Sequence, residues 1–297
     1  MTRLSLSETL ISRFIQVTGT SAVLFVLAIF VFLFSQGGPA LGEVPLASLA
    51  GERWYPIESH FGLLPLLFGT LVVTIGAAWI AVPLGVATAV FVAEVAPRWA
   101  REVLKPLIEL LAGLPSVMLG FLGIVILAPR LYELLSLPTG LTALTGAILL
   151  AWIALPTVVS VAEDALDAVP RTYREAALAL GATRWQTIWR VTLPAARSGV
   201  LTAVMLGIGR ALGETMAVMM VTGNAPTLPS GLAAFVSPVR TMTATIAAEM
   251  GEVAQGSVHY HTLFLLGILL FLISLAVNLT AASVVFRQRS RAERVLS

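Results

Sequence analysis

Residues 59–93 read SHFGLLPLLFGTLVVTIGAAWIAVPLGVATAVFVA, 35 residues without one Asp, Glu, Lys or Arg. A helix that crosses a bilayer needs about 20 mainly apolar residues. This stretch therefore predicts a membrane span with length to spare. Four more intervals are free of charge in the same way: 14–42, 110–129, 134–162 and 253–286, of 29, 20, 29 and 34 residues. A sixth apolar stretch, Ala195 to Val221, is long enough but carries Arg197, Arg210 and Glu214. The chain is thus expected to be an all-α integral membrane protein with six spans, at about 14–34, 66–95, 106–128, 141–162, 196–222 and 261–286. Pro83 inside the over-long second span predicts a tilt or kink, because proline removes a backbone donor and crowds the preceding turn. The first apolar stretch exceeds the 7–15 residues of a cleavable signal's apolar core, and no small-x-small cleavage site follows it cleanly, so it reads as an anchor.

Composition agrees. Of 297 residues, 58% are hydrophobic and 11% charged, with mean hydropathy +0.93. Soluble domains carry about 25% charged residues, so a cytosolic enzyme and a disordered chain are both excluded. Without cysteine, disulfides, Cys-ligated zinc, iron–sulfur clusters and thiol catalysis are excluded too. No second soluble domain, low-complexity run or linear repeat interrupts 1–297, which reads as a single transmembrane domain.

The basic residues orient the chain. Fourteen of them fall in one set of segments: Arg3 and Arg13; Arg98, Arg101 and Lys105; Arg171, Arg174, Arg184, Arg190 and Arg197; Arg287, Arg289, Arg291 and Arg294. The opposite set holds only Arg53, Arg130 and Arg240. The positive-inside rule then places both termini in the cytoplasm. The outer loops are about 35–65, 129–140 and 223–260, and the first and last are long enough to receive an external partner.

One inner segment, 166–194, is more than a loop. Pro170 suits a first helical turn, where its missing N–H costs nothing. Arg171 to Leu180 are mostly helix formers, and Gly181 suits a helix C-terminus that turns through positive φ. Trp185, Ile188 and Trp189 are spaced for one face of a second short helix. The result is a helix–turn–helix hairpin with an apolar edge, a shape that fits a groove on another protein.

The pattern Glu175-Ala176-Ala177, Gly181, Ile188 and Leu193-Pro194, with Arg184 between, resembles the EAA loop of bacterial ABC importer permeases. The resemblance implies a cytoplasmic coupling hairpin that docks on an ATPase subunit. A rival reading is an amphipathic hairpin resting on lipid headgroups. The ATPase is not on this chain. A phosphate-cradling loop needs Gly-x-x-x-x-Gly-Lys-[Ser/Thr], and the single lysine, Lys105, follows Leu104. ATP and Mg²⁺ would belong to a partner, and no cofactor or metal is expected on this chain.

Two ions fall within the fifth span. Arg210 lies about nine residues beyond an interface near Leu201, which at about 1.5 Å per residue is deep in the bilayer. An arginine there costs about 2.5–3.5 kcal/mol on insertion scales. Glu214 is four residues on, which on a continuous helix pairs it with Arg210. Gly209 and Gly213 permit a close helix approach. On one reading Arg210 offers forked donors to a crossing oxyanion. On the other the ion pair is purely structural.

Gly-Arg-Ala-Leu-Gly-Glu-Thr-Met-Ala-Val at 209–218 also resembles phosphate-specific ABC permeases of the Pst type, closer to their C-subunit than their A-subunit branch. So do Trp54-Tyr55-Pro56 with Phe61-Gly62, Gly69-Thr70-Leu71, Pro83-Leu84-Gly85, Glu94-Val95-Ala96-Pro97, Leu114-Pro115-Ser116-Val117 and His259-Tyr260. The resemblance covers roughly 54–287 and implies the fold of a type I ABC importer permease. It also implies a second homologous permease, two ATP-binding subunits, an extracytoplasmic phosphate-binding protein and a multi-pass place in the bacterial inner membrane. Arg210, Glu214, Thr215 and Ser116 would line the substrate pathway. No catalytic residue is expected, and membrane lipid but not nucleic acid is an expected partner.

Alternatives remain at this level. Another oxyanion (sulfate, molybdate or phosphonate) fits the same arginine. An ion-driven anion transporter or a membrane phosphate sensor would leave the hairpin unexplained or Arg210 dispensable. Pro115 and Ser116 fit either an opened helix beside the pathway or a packing kink. His259 and His261 read as interfacial residues, Met216, Met219 and Met220 as packing, and Glu94 and Glu109 as solvated helix-end charges. Glu163 and Asp164 stand where an ATPase could touch them.

Overall fold

The computed structural model describes residues 6–228 and 231–296. Arg3, counted in the basic bias, lies outside the described residues. The chain opens with helix α1 (Leu6–Gly37), followed by short helices α2 (Ala40–Glu43) and α3 (Leu46–Leu49). Strands β1 (Trp54–Tyr55) and β2 (His60–Phe61) form an antiparallel hairpin that pairs Trp54 with Phe61. Helix α4 (Leu64–Val90) ends in a π-helical turn, Phe91–Val95. Helix α5 (Arg98–Ala112) precedes α6 (Ser116–Leu122), which runs through a second π turn into α7 (Ala128–Leu135). Then come α8 (Ala143–Asp167), α9 (Arg171–Ala179) and α10 (Arg184–Thr187). A third π turn, Ile188–Thr192, leads into α11 (Leu193–Gly213), followed by α12 (Met216–Val221), α13 (Met242–Glu249) and α14 (Val258–Leu296).

Among the described residues, six helical segments are long and apolar enough to cross a membrane: Leu10–Glu43, Leu64–Val95, Ser116–Leu135, Ala143–Asp167, Arg184–Gly213 and Val258–Thr280. The all-α expectation holds for these segments, and the β1–β2 hairpin is a small addition to it. Helix α8 is the axis of the bundle. Thr142 caps its start by accepting from the Thr145 N–H, and 61% of its apolar window is buried, against none for α1. Val158 of α8 is clasped between Gly85 of α4 and Gly207 of α11, where a Cβ on either glycine would strike its side chain. Small residues let helices approach closely where lipid gives no hydrophobic drive for association. Helix α1 stands apart, held to α14 by ring contacts such as Phe30–Phe271 at 5.3 Å and Phe32–Phe264 at 5.6 Å.

Two expectations need correction. The third span does not start at 106. Helix α5 is separate, and the crossing begins at Ser116, after Gly113-Leu114-Pro115. Proline has no N–H to continue the ladder and biases the residue before it away from helix. The fifth span does not continue to 222 as one helix. It stops at Gly213, and Glu214 is extended, with φ −70° and ψ 129°. The second span runs through Pro83 without a break in its helix.

Candidate functional site

The hairpin forms as local chemistry dictates. Pro170 precedes α9, and at its far end Gly181 turns with φ +82°. There the Gly181 N–H donates to Leu178 O (3.0 Å) and the Ala182 N–H to Ala177 O (3.1 Å). Thr183 then caps α10 reciprocally: its hydroxyl accepts from the Gln186 N–H (3.3 Å), and Gln186 Oε1 accepts from the Thr183 N–H (2.9 Å). Such a capping box satisfies two orphan donors at once. Glu175, Ala176 and Arg184 are exposed, Ala177 is buried, Leu193 is half-buried and Pro194 is exposed at the start of α11. Leu180 is 89% exposed and Trp185 61%, an apolar edge left open at the tip. Ile188 does not share that edge. It turns into the core, while Trp185 and Trp189 meet edge-to-face at 5.7 Å. The π turn that begins at Ile188 breaks the simple helical spacing.

The base of the hairpin is bound to the bundle by ions that the sequence left unpaired. Arg174 of α9 sends Nε and Nη2 to Glu94 Oε1, at 3.0 and 2.7 Å. Its guanidinium also donates to the carbonyls of Val169 and Leu166, both at 2.8 Å. Glu94 is therefore a partly buried anchor and not the solvated end charge expected of it. Glu163 is also reassigned. It is 2% exposed and faces Lys105 Nζ at 3.5 Å, out of reach of a docking partner, while Asp164 remains 70% exposed. Arg101 of α5 lies 3.7 Å from Asp167 and donates to the carbonyls of Val92 (3.0 Å) and Ala93. The turn Phe91–Val95 supplies Glu94 and both carbonyls, and π turns recur at functional sites.

Arg210 and Glu214 do not pair. The helix ends between them, so the four-residue spacing no longer stacks their side chains. Glu214 Oε1 instead accepts from the N–H groups of Thr215 (3.1 Å) and Ala217 (3.3 Å), capping α12. The Glu214 carbonyl accepts from Thr243 Oγ1 of α13 at 3.1 Å, which ties the break to the outer segment. Arg210 is exposed on the free face of the bundle. Its Nη1 donates to Thr157 Oγ1 (3.4 Å) and its Nη2 to Ala112 O (3.3 Å). These are long contacts to neutral groups, so the charge has no carboxylate partner among the described salt bridges. Thr215 sits in the break, its hydroxyl bonded to Gly213 O at 3.3 Å. Ser116 opens α6, which packs on α12 where Gly120 meets Ala217 and Met220. Three residues separate Ala112 from Ser116, so the α5–α6 corner brings Arg210 and Ser116 to one region.

Sequence reasoning missed α5 as an element. Trp99, Val103, Leu107 and Leu110 lie on one face with helical spacing, and all are exposed. That spacing was available as a signal. It also missed a cluster at the end of the bundle away from the 166–194 hairpin. Glu249 at the end of α13 accepts from Trp54 Nε1 (3.1 Å), Arg240 Nη2 (2.6 Å) and His259 Nε2 (2.8 Å). His259 is thus part of a partly buried network, and His261 lies 2.9 Å from Glu43. A cavity of about 530 Å³ lies beside this cluster, lined by Tyr55, Ile57 and Glu252 among others.

With this geometry in view, comparison with known proteins is direct. Residues 81–290 match the family of binding-protein-dependent transport system inner membrane components. A probable ABC transporter permease protein, YqgH, from Bacillus subtilis is 43% identical over 255 residues, covering 83% of this chain and 81% of the relative. The phosphate transport system permease protein PstC of Mesorhizobium japonicum is 37% identical over 278 residues, covering 87% and 84%. Among solved structures, a bacterial alginate ABC transporter aligns with TM-score 0.65 at 17% identity, covering 93% of each chain. The MetNI methionine ABC transporter aligns with TM-score 0.53 at 22% identity, covering 75% and 94%. The fold is that of these importer permeases, and the chain belongs to the family of binding-protein-dependent transport system inner membrane components.

Proposed function

We propose that this chain is the membrane permease subunit of an ATP-driven importer that moves inorganic phosphate into the cytoplasm. The carrying observation is Arg210, a guanidinium without a carboxylate partner among the described salt bridges, exposed beside the break between α11 and α12. A guanidinium donates in a fixed fork that matches phosphate oxygens. Several relatives, matched over most of their length, carry the name phosphate transport system permease protein, which supports phosphate over other oxyanions.

In this reading the exposed face of α6, α11 and α12 meets a second, homologous permease, and phosphate passes between the two. Ser116, Thr215 and Glu214 line the route, with Glu214 holding the α12 end and Arg210 meeting the anion. Both termini are cytoplasmic. The hairpin 166–194 seats in one of two ATP-binding subunits through Glu175, Ala176, Arg184 and the open edge of Leu180 and Trp185. ATP and Mg²⁺ act there, and no covalent chemistry occurs on this chain. An extracytoplasmic phosphate-binding protein delivers the anion to the outer loops. ATP binding moves the hairpin, and the spans alternate between outward- and inward-facing states as rigid bodies.

The test is uptake of labelled phosphate into vesicles holding all subunits, with sulfate and molybdate as competitors. Uptake that needs ATP hydrolysis and yields only to phosphate supports the proposal. Uptake without the ATPase, or equal competition by sulfate, overturns it.

A further inference from the structure

We propose that α5 is a strap that carries movement of the coupling hairpin to Arg210, with Lys105 and Glu163 as its positioning residues. The inference rests on the functional reading above and adds the route between its two ends.

Helix α5 is fastened at both ends. Near its start, Arg101 donates to the carbonyls of Val92 (3.0 Å) and Ala93 and faces Asp167 at 3.7 Å. Those carbonyls immediately precede Glu94, which holds Arg174 of the hairpin at 2.7 Å. A turn further on, Lys105 lies between Glu163 (3.5 Å) and Asp164 (3.8 Å) of α8. At its far end the carbonyl of Ala112, the last residue of α5, accepts from Arg210 at 3.3 Å. A displacement of α9 therefore acts on the turn that holds α5, and α5 acts on the guanidinium that faces the pathway. From Lys105 to Ala112 the helix spans about 10 Å at 1.5 Å per residue.

The way α5 is held marks it as a moving part. Ala100 is the only fully buried residue it contributes among those described. Its apolar residues Trp99, Val103, Leu107 and Leu110 are at least half exposed. An element with few buried contacts is fixed by its polar tethers and shifts when they do. The Lys105 tether is also poorly optimised for static stability. Glu163 is 2% exposed, yet its Oε1 accepts no hydrogen bond. Well-packed apolar residues in place of such a pair are often as stable or more so. Lys105 is the single lysine beside 17 arginines. An ammonium is a point charge on a flexible stem, without the fixed fork of a guanidinium. It can therefore slide between two carboxylates without losing its attraction to either.

The test uses the complete importer in vesicles, with phosphate moved and ATP hydrolysed measured together. Wild type is compared with the double variant Lys105→Met/Glu163→Leu, which removes both charges and leaves no buried ion alone. The strap predicts normal assembly and binding-protein-stimulated hydrolysis, with phosphate moved per ATP reduced about fivefold, in the range such networks carry. A wild-type ratio in the double variant overturns the strap alone. Wild-type vesicles that move phosphate without hydrolysis overturn the functional reading and the strap with it. A second measurement does not depend on that variant. The chain lacks cysteine, so spin labels can be placed on exposed positions through Leu110→Cys and Trp152→Cys. The strap predicts that their separation changes between the nucleotide-free and ATP-bound importer, and an unchanged separation contradicts it.

Discussion

Two carboxylates, one at each end of the bundle, are held in opposite ways. Glu249, partly buried at the end away from the 166–194 hairpin, takes short bonds from three partners: Arg240 at 2.6 Å, His259 at 2.8 Å and Trp54 at 3.1 Å. Glu163, buried at the hairpin end, has one cation at 3.5 Å and an oxygen without a hydrogen bond. Directional bonds on both oxygens fix a carboxylate, and that fixes the elements bearing its partners: β1, α13, α14 and the segment before α13. A loose point-charge contact leaves helices free to shift against each other. The Glu249 cluster is built as a lock and the Lys105–Glu163 contact as a joint. That division suits a protein driven from the hairpin end, as the proposed function requires.

Three substitutions sharpen or break this contrast. The largest effect is expected from Glu249→Ala, which leaves Arg240, His259 and Trp54 partly buried without their acceptor. Hydrogen bonds to a charged group are worth about 1.5–3 kcal/mol each, and their joint loss is read as a lowered unfolding temperature in detergent. An unchanged temperature would show that the Glu249 cluster is not a lock. Glu94→Gln comes next. It keeps an acceptor for Arg174 but removes the charge, and hydrogen bonds to charged groups are worth about 1.5–3 kcal/mol. The same unfolding assay should show a smaller loss, and phosphate moved per ATP should fall. Lys105→Arg should change stability least, by under about 1 kcal/mol, because arginine keeps the positive charge beside Glu163 and the 3.5 Å contact has no fixed geometry to lose. A large loss there would mean that the inner contact is as exacting as the outer one.

Much of this architecture is legible in one sequence, for identifiable reasons. Charge-free intervals reveal spans because lipid penalises ions wherever the fold places them. The hairpin is legible because Pro170, Gly181 and the Thr183–Gln186 box act on their own neighbours. What escapes is long-range. The break at Glu214 depends on Thr243, 29 residues away, and the Arg174–Glu94 pair joins residues 80 apart. A spacing of four residues promised an Arg210–Glu214 pair only on the assumption of a continuous helix. Glu249 and His259 looked ordinary because nothing near them in sequence points to Trp54, 195 residues from Glu249. At α5 the signal was present, but the search for uninterrupted apolar length passed over an amphipathic helix that borders a span.

The central claim is that Arg210 meets the transported anion. The direct test compares initial phosphate uptake by wild type and Arg210→Ala in vesicles holding every subunit, with ATPase assembly measured in the same preparation. Loss of charge-assisted hydrogen bonds worth about 1.5–3 kcal/mol predicts uptake reduced about tenfold or more, with assembly unchanged. Wild-type uptake by Arg210→Ala would contradict the account.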